Sequence, residues 1–257
     1  MGAGHGGLAT GLYVERVSPV HALRPQCKVV ALFLFVVMVV VTPREAMWAF
    51  AGYALLLVAL GGLARIPLAF VARRMLIEVP FLAFAFFMPL VGTGPRTEVL
   101  GLSLSVQGLW GAWNILAKGT LGVAAAALLA ATTRVPDLLH GLERLRLPRA
   151  LTSTAGFMVR YADVIAEESR RMRVARASRG YDPRWLWQAR AVATGAGTLF
   201  VRSYERGERV YLAMLSRGYT GALPDLSGGA APPRHWGAAL ALPALAAVVA
   251  VTALVRS

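Results

Sequence analysis

The chain has 257 residues, of which 57% are apolar and 16% charged, with a formal net charge of +14. Water-soluble domains carry about 25% charged residues, so the composition excludes an ordinary soluble domain and points to an all-α integral membrane protein. A single cysteine, Cys27, excludes an internal disulfide.

Five apolar runs follow in chain order, at about 28–41, 47–63, 76–91, 108–131 and 237–254. A helix that crosses a bilayer needs about 20 apolar residues, and the fourth run meets this alone. The first begins after residue 26 without a small-residue cleavage site, so no signal peptide is expected. It is short, and Lys28 at its start is expected to snorkel to the interface. Thr42-Pro43-Arg44-Glu45 separates the first run from the second, as a tight hairpin or as a link between two full spans. Arg16, Arg24 and Lys28 flank the first run, and Arg65, Arg73 and Arg74 lie between the second and third. Residues 132–235 hold 17 Arg against 9 Asp and Glu, whereas the 42–46 turn has only Arg44 and the 92–107 loop only Arg96 as a base. Basic residues stay on the cytoplasmic side. The N-terminus and the 132–235 block are therefore predicted to be cytoplasmic, and about five spans leave the C-terminus outside.

In the fourth span Asn114 and Lys118 share one face. An ionisable residue at membrane depth is a candidate site; a lysine resting on a backbone carbonyl inside the bundle is the competing reading. Glu78, near the start of the third run, is expected too far away in depth to pair with Lys118. Gly119, Gly122 and Ala126 recur at steps of three and four, which predicts a close-packing face.

The basic block is predicted to be helical. Pro136 opens a short amphipathic helix carrying Leu138, Leu139, Leu142 and Leu145, which ends before Pro148. Met158, Tyr161, Ile165, Met172 and Ala175 form the apolar stripe of a second helix over about 149–179. Arg160, Asp163, Glu167, Arg170, Arg171 and Arg173 mostly fall off that stripe. After Asp182-Pro183 a third helix is predicted over about 184–217, with Ala193, Gly195 and Gly197 small enough for a close crossing. Gly221 and Pro224 follow, and residues 225–235 read as a linker. Three regions result: four spans in 1–131, long amphipathic helices in 132–224, and a linker with the last span in 225–257.

The second and third helices end alike. Ala175-Arg176-Ala177-Ser178-Arg179-Gly180-Tyr181 repeats as Ala213-Met214-Leu215-Ser216-Arg217-Gly218-Tyr219. Glycine suits the left-handed position just past a helix end, and arginine complements the negative helix terminus. Helix-stop chemistry alone explains one copy. Capping does not require the same Ser and Tyr flanks twice, 38 residues apart (Arg179 to Arg217). A guanidinium on a rigid helix end suits bidentate recognition of a carboxylate.

Metal and cofactor signals are sparse. His5, His21, His140 and His235 are scattered with no ligand-like spacing. His5 in the Gly-rich start is a weak metal ligand at most, against a plain tail. The sequence has no phosphate-binding Gly-x-x-x-x-Gly-Lys loop, no Gly-x-Ser-x-Gly elbow and no His-Glu-x-x-His, so no cofactor, metal or catalytic residue is expected.

On these residues the chain resembles, over almost its whole length, the transmembrane T component of energy-coupling factor transporters, the EcfT/CbiQ family. The family signature is a pair of Ala-Arg-Gly motifs ending two long cytoplasmic coupling helices. Ser18-Pro19-Val20-His21-Ala22-Leu23-Arg24-Pro25-Gln26-Cys27-Lys28 resembles the family's Ser-Pro-x-His-x-Leu-x-Pro-x-x-Lys opening. Pro136-Asp137-Leu138-Leu139 and Leu145-Arg146-Leu147-Pro148 resemble the segment leading to the coupling helices. The opening and the Arg-Gly-Tyr ends look most like CbiQ, the version dedicated to cobalt uptake. Ser178 and Ser216 stand where the signature has Ala, and Met214 stands opposite Arg176.

The resemblance implies a non-catalytic coupling subunit of an ABC importer in the inner (plasma) membrane. Ala175, Arg176, Arg179, Gly180, Ala213, Arg217 and Gly218 would form the docking ends, each arginine entering a groove of one of two ATP-binding cassette ATPase subunits. Closure of the ATPase pair would move the crossed helices. That motion would reorient a separate substrate-binding membrane subunit, CbiM-like, alone or with a small CbiN-like subunit. Membrane lipid and no nucleic acid completes the expected set of partners. Two other readings are a shared T component for vitamin uptake, and a membrane-anchored module whose basic helices bind anionic lipid or nucleic acid.

Overall fold

The computed structural model describes residues 13–91, 95–99, 102–181, 189–221 and 231–256. His5, Asp182, Pro183, the predicted helix start at 184, Pro224 and most of the 225–235 linker lie outside these residues. Contacts group residues 13–145 with 231–256 as one unit and residues 146–221 as another.

The first unit is built on apolar helices. After the short α1 (Pro19–Ala22), α2 (Pro25–Val41) starts on a proline, whose missing N–H is no loss in a first turn. It ends at Thr42, whose hydroxyl donates to Met38 O at 2.8 Å and lies 2.7 Å from the buried Tyr53 hydroxyl of α3 (Met47–Leu63). The core joins Phe35 and Val39 of α2, Phe50, Tyr53 and Leu57 of α3, and Leu121 and Leu128 of α6 (Val106–Thr132). Ala246 and Ala253 of α10 (Pro233–Arg256) complete it. Helices α6 and α10 are long and apolar enough to cross a membrane, while α2 and α3 are shorter apolar helices of 17 residues.

The third expected span begins earlier than its apolar run. It is a broken rod of α4 (Leu68–Arg74), a 3-10 turn (Met75–Glu78) and α5 (Val79–Val91). Arg73 and Arg74 therefore sit inside a helix rather than in a loop; Arg74 lies over the Phe70 ring at 5.1 Å. The rod packs along α6, and this corrects the expected depth of Glu78. A Cβ on Gly119 would lie 2.6 Å from Glu78 Oε1, so the buried carboxyl stands one residue from Lys118 along α6.

Three further expectations change. The 92–107 loop contains an antiparallel hairpin, β1 (Arg96–Val99) with β2 (Leu102–Ser105), in register Arg96↔Ser105 and Val99↔Leu102. The alternation Leu102-Ser103-Leu104-Ser105 was its only sequence sign. Of the predicted small-residue face, Gly119 alone makes a close approach. Gly122 has no neighbour within 4 Å of a built Cβ, and Ala126 is exposed. Helix α6 instead buries Ala124, Ala125, Ala127, Leu128 and Ala131.

Lys28 does not snorkel. It is buried, and Nζ donates to Thr132 O at 2.9 Å, Thr133 Oγ1 at 3.3 Å and His21 O at 3.4 Å. The C-terminal carbonyl of α6 needs a donor, and the lysine at the start of α2 supplies it. Lys28→Met keeps the length but strands those acceptors. It is expected to lower stability by about 1–3 kcal/mol, read as a lower melting temperature in detergent.

Helix α7 (Val135–Arg144) packs on α2 within this same unit, where Gly141 lets it approach; a Cβ there would lie 2.9 Å from Gln26 N. The two units divide after Leu145.

The second unit consists of α8 (Arg149–Ser178) and α9 (Ala189–Leu215). Their contacts run in opposite chain directions. Arg176 meets Gly195, Glu168 pairs with Arg202, and Phe157, Met158 and Tyr161 share a groove of about 370 Å³ with Val210, Tyr211 and Met214. The helices are therefore antiparallel. Of the small residues predicted to allow crossing, Gly195 is the one in close contact, and Gly197 has open space.

Candidate functional site

Both repeated ends close in the same way. In the first, Tyr181 N donates to Arg176 O at 3.1 Å and Gly180 N to Ala177 O at 2.9 Å. In the second, Tyr219 N donates to Met214 O and Gly218 N to Leu215 O, both at 3.0 Å. This pair of six-to-one and five-to-two bonds is the Schellman arrangement, and it needs a left-handed residue. Gly180 and Gly218 supply it, with φ of +76° and +81°. The serines that stand in place of the signature's alanine add a bond that alanine cannot make. Ser178 Oγ donates to Ala175 O and Ser216 Oγ to Ala213 O, each at 3.0 Å. The motif's Ala, Ser, Arg and Gly are thus one hydrogen-bonded helix end.

This geometry makes Arg179 and Arg217 the cap residues themselves. Both are exposed, and neither guanidinium has an ion-pair partner among the described residues. Arg176 differs. It lies one turn back on the face toward α9, its Nε is buried, and its guanidinium fills the space over Gly195. The residues grouped as docking ends therefore divide, with Arg179 and Arg217 turned to solvent and Arg176 packed between the helices. From the antiparallel contacts, Arg217 lies level with the stretch of α8 near residue 154. That is about 25 helical residues from Arg179, or roughly 40 Å.

The outer face of α8 carries its own charge pattern. Arg170 donates to both Glu167 oxygens at 2.8 Å and Arg171 Nε donates to Oε1 at 3.1 Å. These bonds hold the Glu167 carboxyl down at about 2, from an ordinary 4.5. A depressed carboxyl stabilises the fold above its unfolded value and loses that contribution as pH falls through the folded one. Helicity of the full chain, compared with Glu167→Gln by circular dichroism, is expected to differ slightly above pH 4.5. The gap should close as pH falls toward 2.

The intramembrane pair separates. Lys118 Nζ donates to Val40 O at 2.8 Å, at the end of α2, while Asn114 Oδ1 is buried with no partner among the described residues. His21 is held by its neighbours: Nδ1 lies 2.7 Å from Ser18 Oγ and Nε2 lies 3.1 Å from Val14 O. Burial pushes its imidazole below the ordinary value. His235 Nδ1 accepts from Arg24 N at 3.2 Å. Among the described residues no three His, Cys, Asp or Glu side chains gather as metal ligands.

Known proteins resemble this chain in sequence. The family model described as "Cobalt transport protein", CbiQ, matches residues 16–227. The energy-coupling factor transporter transmembrane protein EcfT of Bacillus selenitireducens is 29% identical over 227 residues, covering 82% of this chain and 83% of its own. The cobalt transport protein CbiQ of Rhodobacter capsulatus is 30% identical over 165 residues, covering 64% of this chain and 66% of its own. A putative fused cobalt transport protein CbiMQ of Methanocorpusculum labreanum is 29% identical over 120 residues, 46% of this chain and 20% of the fusion. With the family model spanning both repeated helix ends and most of the apolar unit, the chain belongs to the CbiQ family of cobalt transport proteins, membrane proteins of transport.

Proposed function

We propose that this chain is the coupling subunit of an energy-coupling factor importer in the cell membrane, with its N-terminus and α8–α9 in the cytoplasm. The observation that carries this reading is the pair of like-built ends, each presenting an exposed arginine with no ion pair among the described residues on a rigid Schellman cap. Arg179 and Arg217 each dock on an acidic groove of one ATPase subunit, with Ala175, Gly180, Ala213 and Gly218 shaping the ends. Arg176 holds α8 to α9 so that motion at one end reaches the other. Phe200, Tyr204 and Leu212 of α9, 61–71% exposed, support a further protein on the helix pair, since soluble surfaces rarely leave such apolar side chains grouped. A CbiM-like substrate-binding subunit suits that place, as the fused CbiMQ relative joins two such parts in one chain. The substrate proposed is cobalt.

A second reading is a component shared among vitamin-binding subunits. It is favoured by the EcfT relative, which matches a larger share of the chain than the CbiQ relative does. Uptake decides between them. Cells expressing the chain with two ATPase subunits and a CbiM-like subunit are expected to accumulate cobalt, and to stop when this chain is omitted. Vitamin uptake through several different binding subunits, with no cobalt uptake, would replace the first reading by the second.

A further inference from the structure

We propose that a cleft between α3, α4 and α6 holds an acyl chain of an anionic glycerophospholipid, whose phosphate sits on Arg65 and Arg73. This does not rest on the coupling role. The cleft measures about 280 Å³ and is walled by Leu57 and Gly61 of α3, Val71 and Ala72 of α4, and Leu121 and Leu128 of α6. Thr120 is its one polar lining residue. Such a slot suits hydrocarbon and offers little to a hydrated ion.

Two cations adjoin this lining in the chain. Ile66 and Ala72 both line the cleft, and Arg65 and Arg73, both exposed, are their immediate neighbours in the chain. Arg74 stacks back over Phe70, bringing a third cation along α4. No acidic residue occurs between Glu45 and Glu78. A zwitterionic headgroup would bring its own cation against these three arginines, whereas an anionic one is attracted.

Arg65 has a further peculiarity. Its N–H donates to Gly62 O and that of Ile66 to Gly61 O, both at 3.0 Å, so α3 ends in the same Schellman arrangement as α8 and α9. At the left-handed position those two helices carry glycine. Here the chain carries arginine at φ +56°, a conformation that costs a non-glycine side chain. Arg146, just past α7, adopts the same conformation at φ +68°, and at either turn glycine would fit with less strain.

The test uses the full chain in detergent micelles with equal phosphatidylglycerol and phosphatidylcholine, read by native mass spectrometry. Phosphatidylglycerol should be retained in preference. Arg65→Gly with Arg73→Gln should remove that preference, each arginine contributing about fivefold. Arg65→Gly alone should melt no lower than the unmodified chain, because glycine fits the turn; this separates lost lipid from lost fold. Ala72→Phe, which fills the cleft, should reduce phosphatidylglycerol retention, and glycerol phosphate without acyl chains should not displace the lipid. Equal retention of the two lipids, an unchanged preference in the double variant, or displacement by glycerol phosphate would overturn the proposal.

Discussion

Arg179→Glu combined with Arg217→Glu is expected to abolish both co-purification of the ATPase subunits and coupled uptake. Each arginine caps its own helix, is exposed, and has no internal ion pair among the described residues. Reversal costs the isolated chain only the arginines' favourable interaction with the negative helix ends, so melting should fall slightly. The loss falls on the contact with a partner. Truncating one member of a desolvated Arg–carboxylate pair costs about 2–5 kcal/mol, roughly 30- to 5,000-fold in affinity; reversal adds repulsion. Single Arg→Lys changes keep the charge but lose the planar fork, so they should fall between. A lipid or nucleic-acid surface would tolerate them and would show steep salt dependence instead. Normal uptake by the double reversal would sink the docking assignment.

The second large effect is expected inside the membrane. Gly108→Ala should destabilise the chain by about 1–3 kcal/mol, or prevent α5 from packing on α6. A Cβ at 108 would lie 2.6 Å from Met88 O and 2.7 Å from Pro89 Cα. Both are backbone atoms, and the proline ring leaves the segment little freedom to yield. Gly195→Ala provides the contrast, since its Cβ meets only the guanidinium end of Arg176, which can swing aside. That variant should melt close to the unmodified chain. Equal melting temperatures for the two glycine variants would show that α5 and α6 do not approach this closely.

What the sequence disclosed follows from where its signals are local. Helix α3 falls on residues 47–63 as read, and α6, α8 and α10 lie within a few residues, because their apolar runs or stripes are long and uninterrupted. The third rod was misread at its start. Arg73 and Arg74 look like loop charges until Phe70 is seen beneath one of them. The hairpin was missed because four-residue strands have little periodicity to show. At the candidate site, glycine after arginine identified both caps, since left-handed backbone is a local demand. The fate of Arg176 was not legible, because Gly195 comes to it from another helix. Lys28 was misjudged for the same reason: its acceptors, Thr132 and Thr133, are more than a hundred residues away.

The opposed directions of α8 and α9 have a mechanical consequence. The Glu168–Arg202 ion pair lies at the middle of α9 and about two-thirds of the way along α8, and the two arginine caps lie beyond it on opposite sides. Forces applied at those caps act on opposite sides of a common fulcrum. Equal pushes in the same direction there turn the two rods in opposite senses, so they pivot about each other rather than turning together. A small stroke at either tip is converted into a change of angle, and that angle is felt along the whole length of both rods.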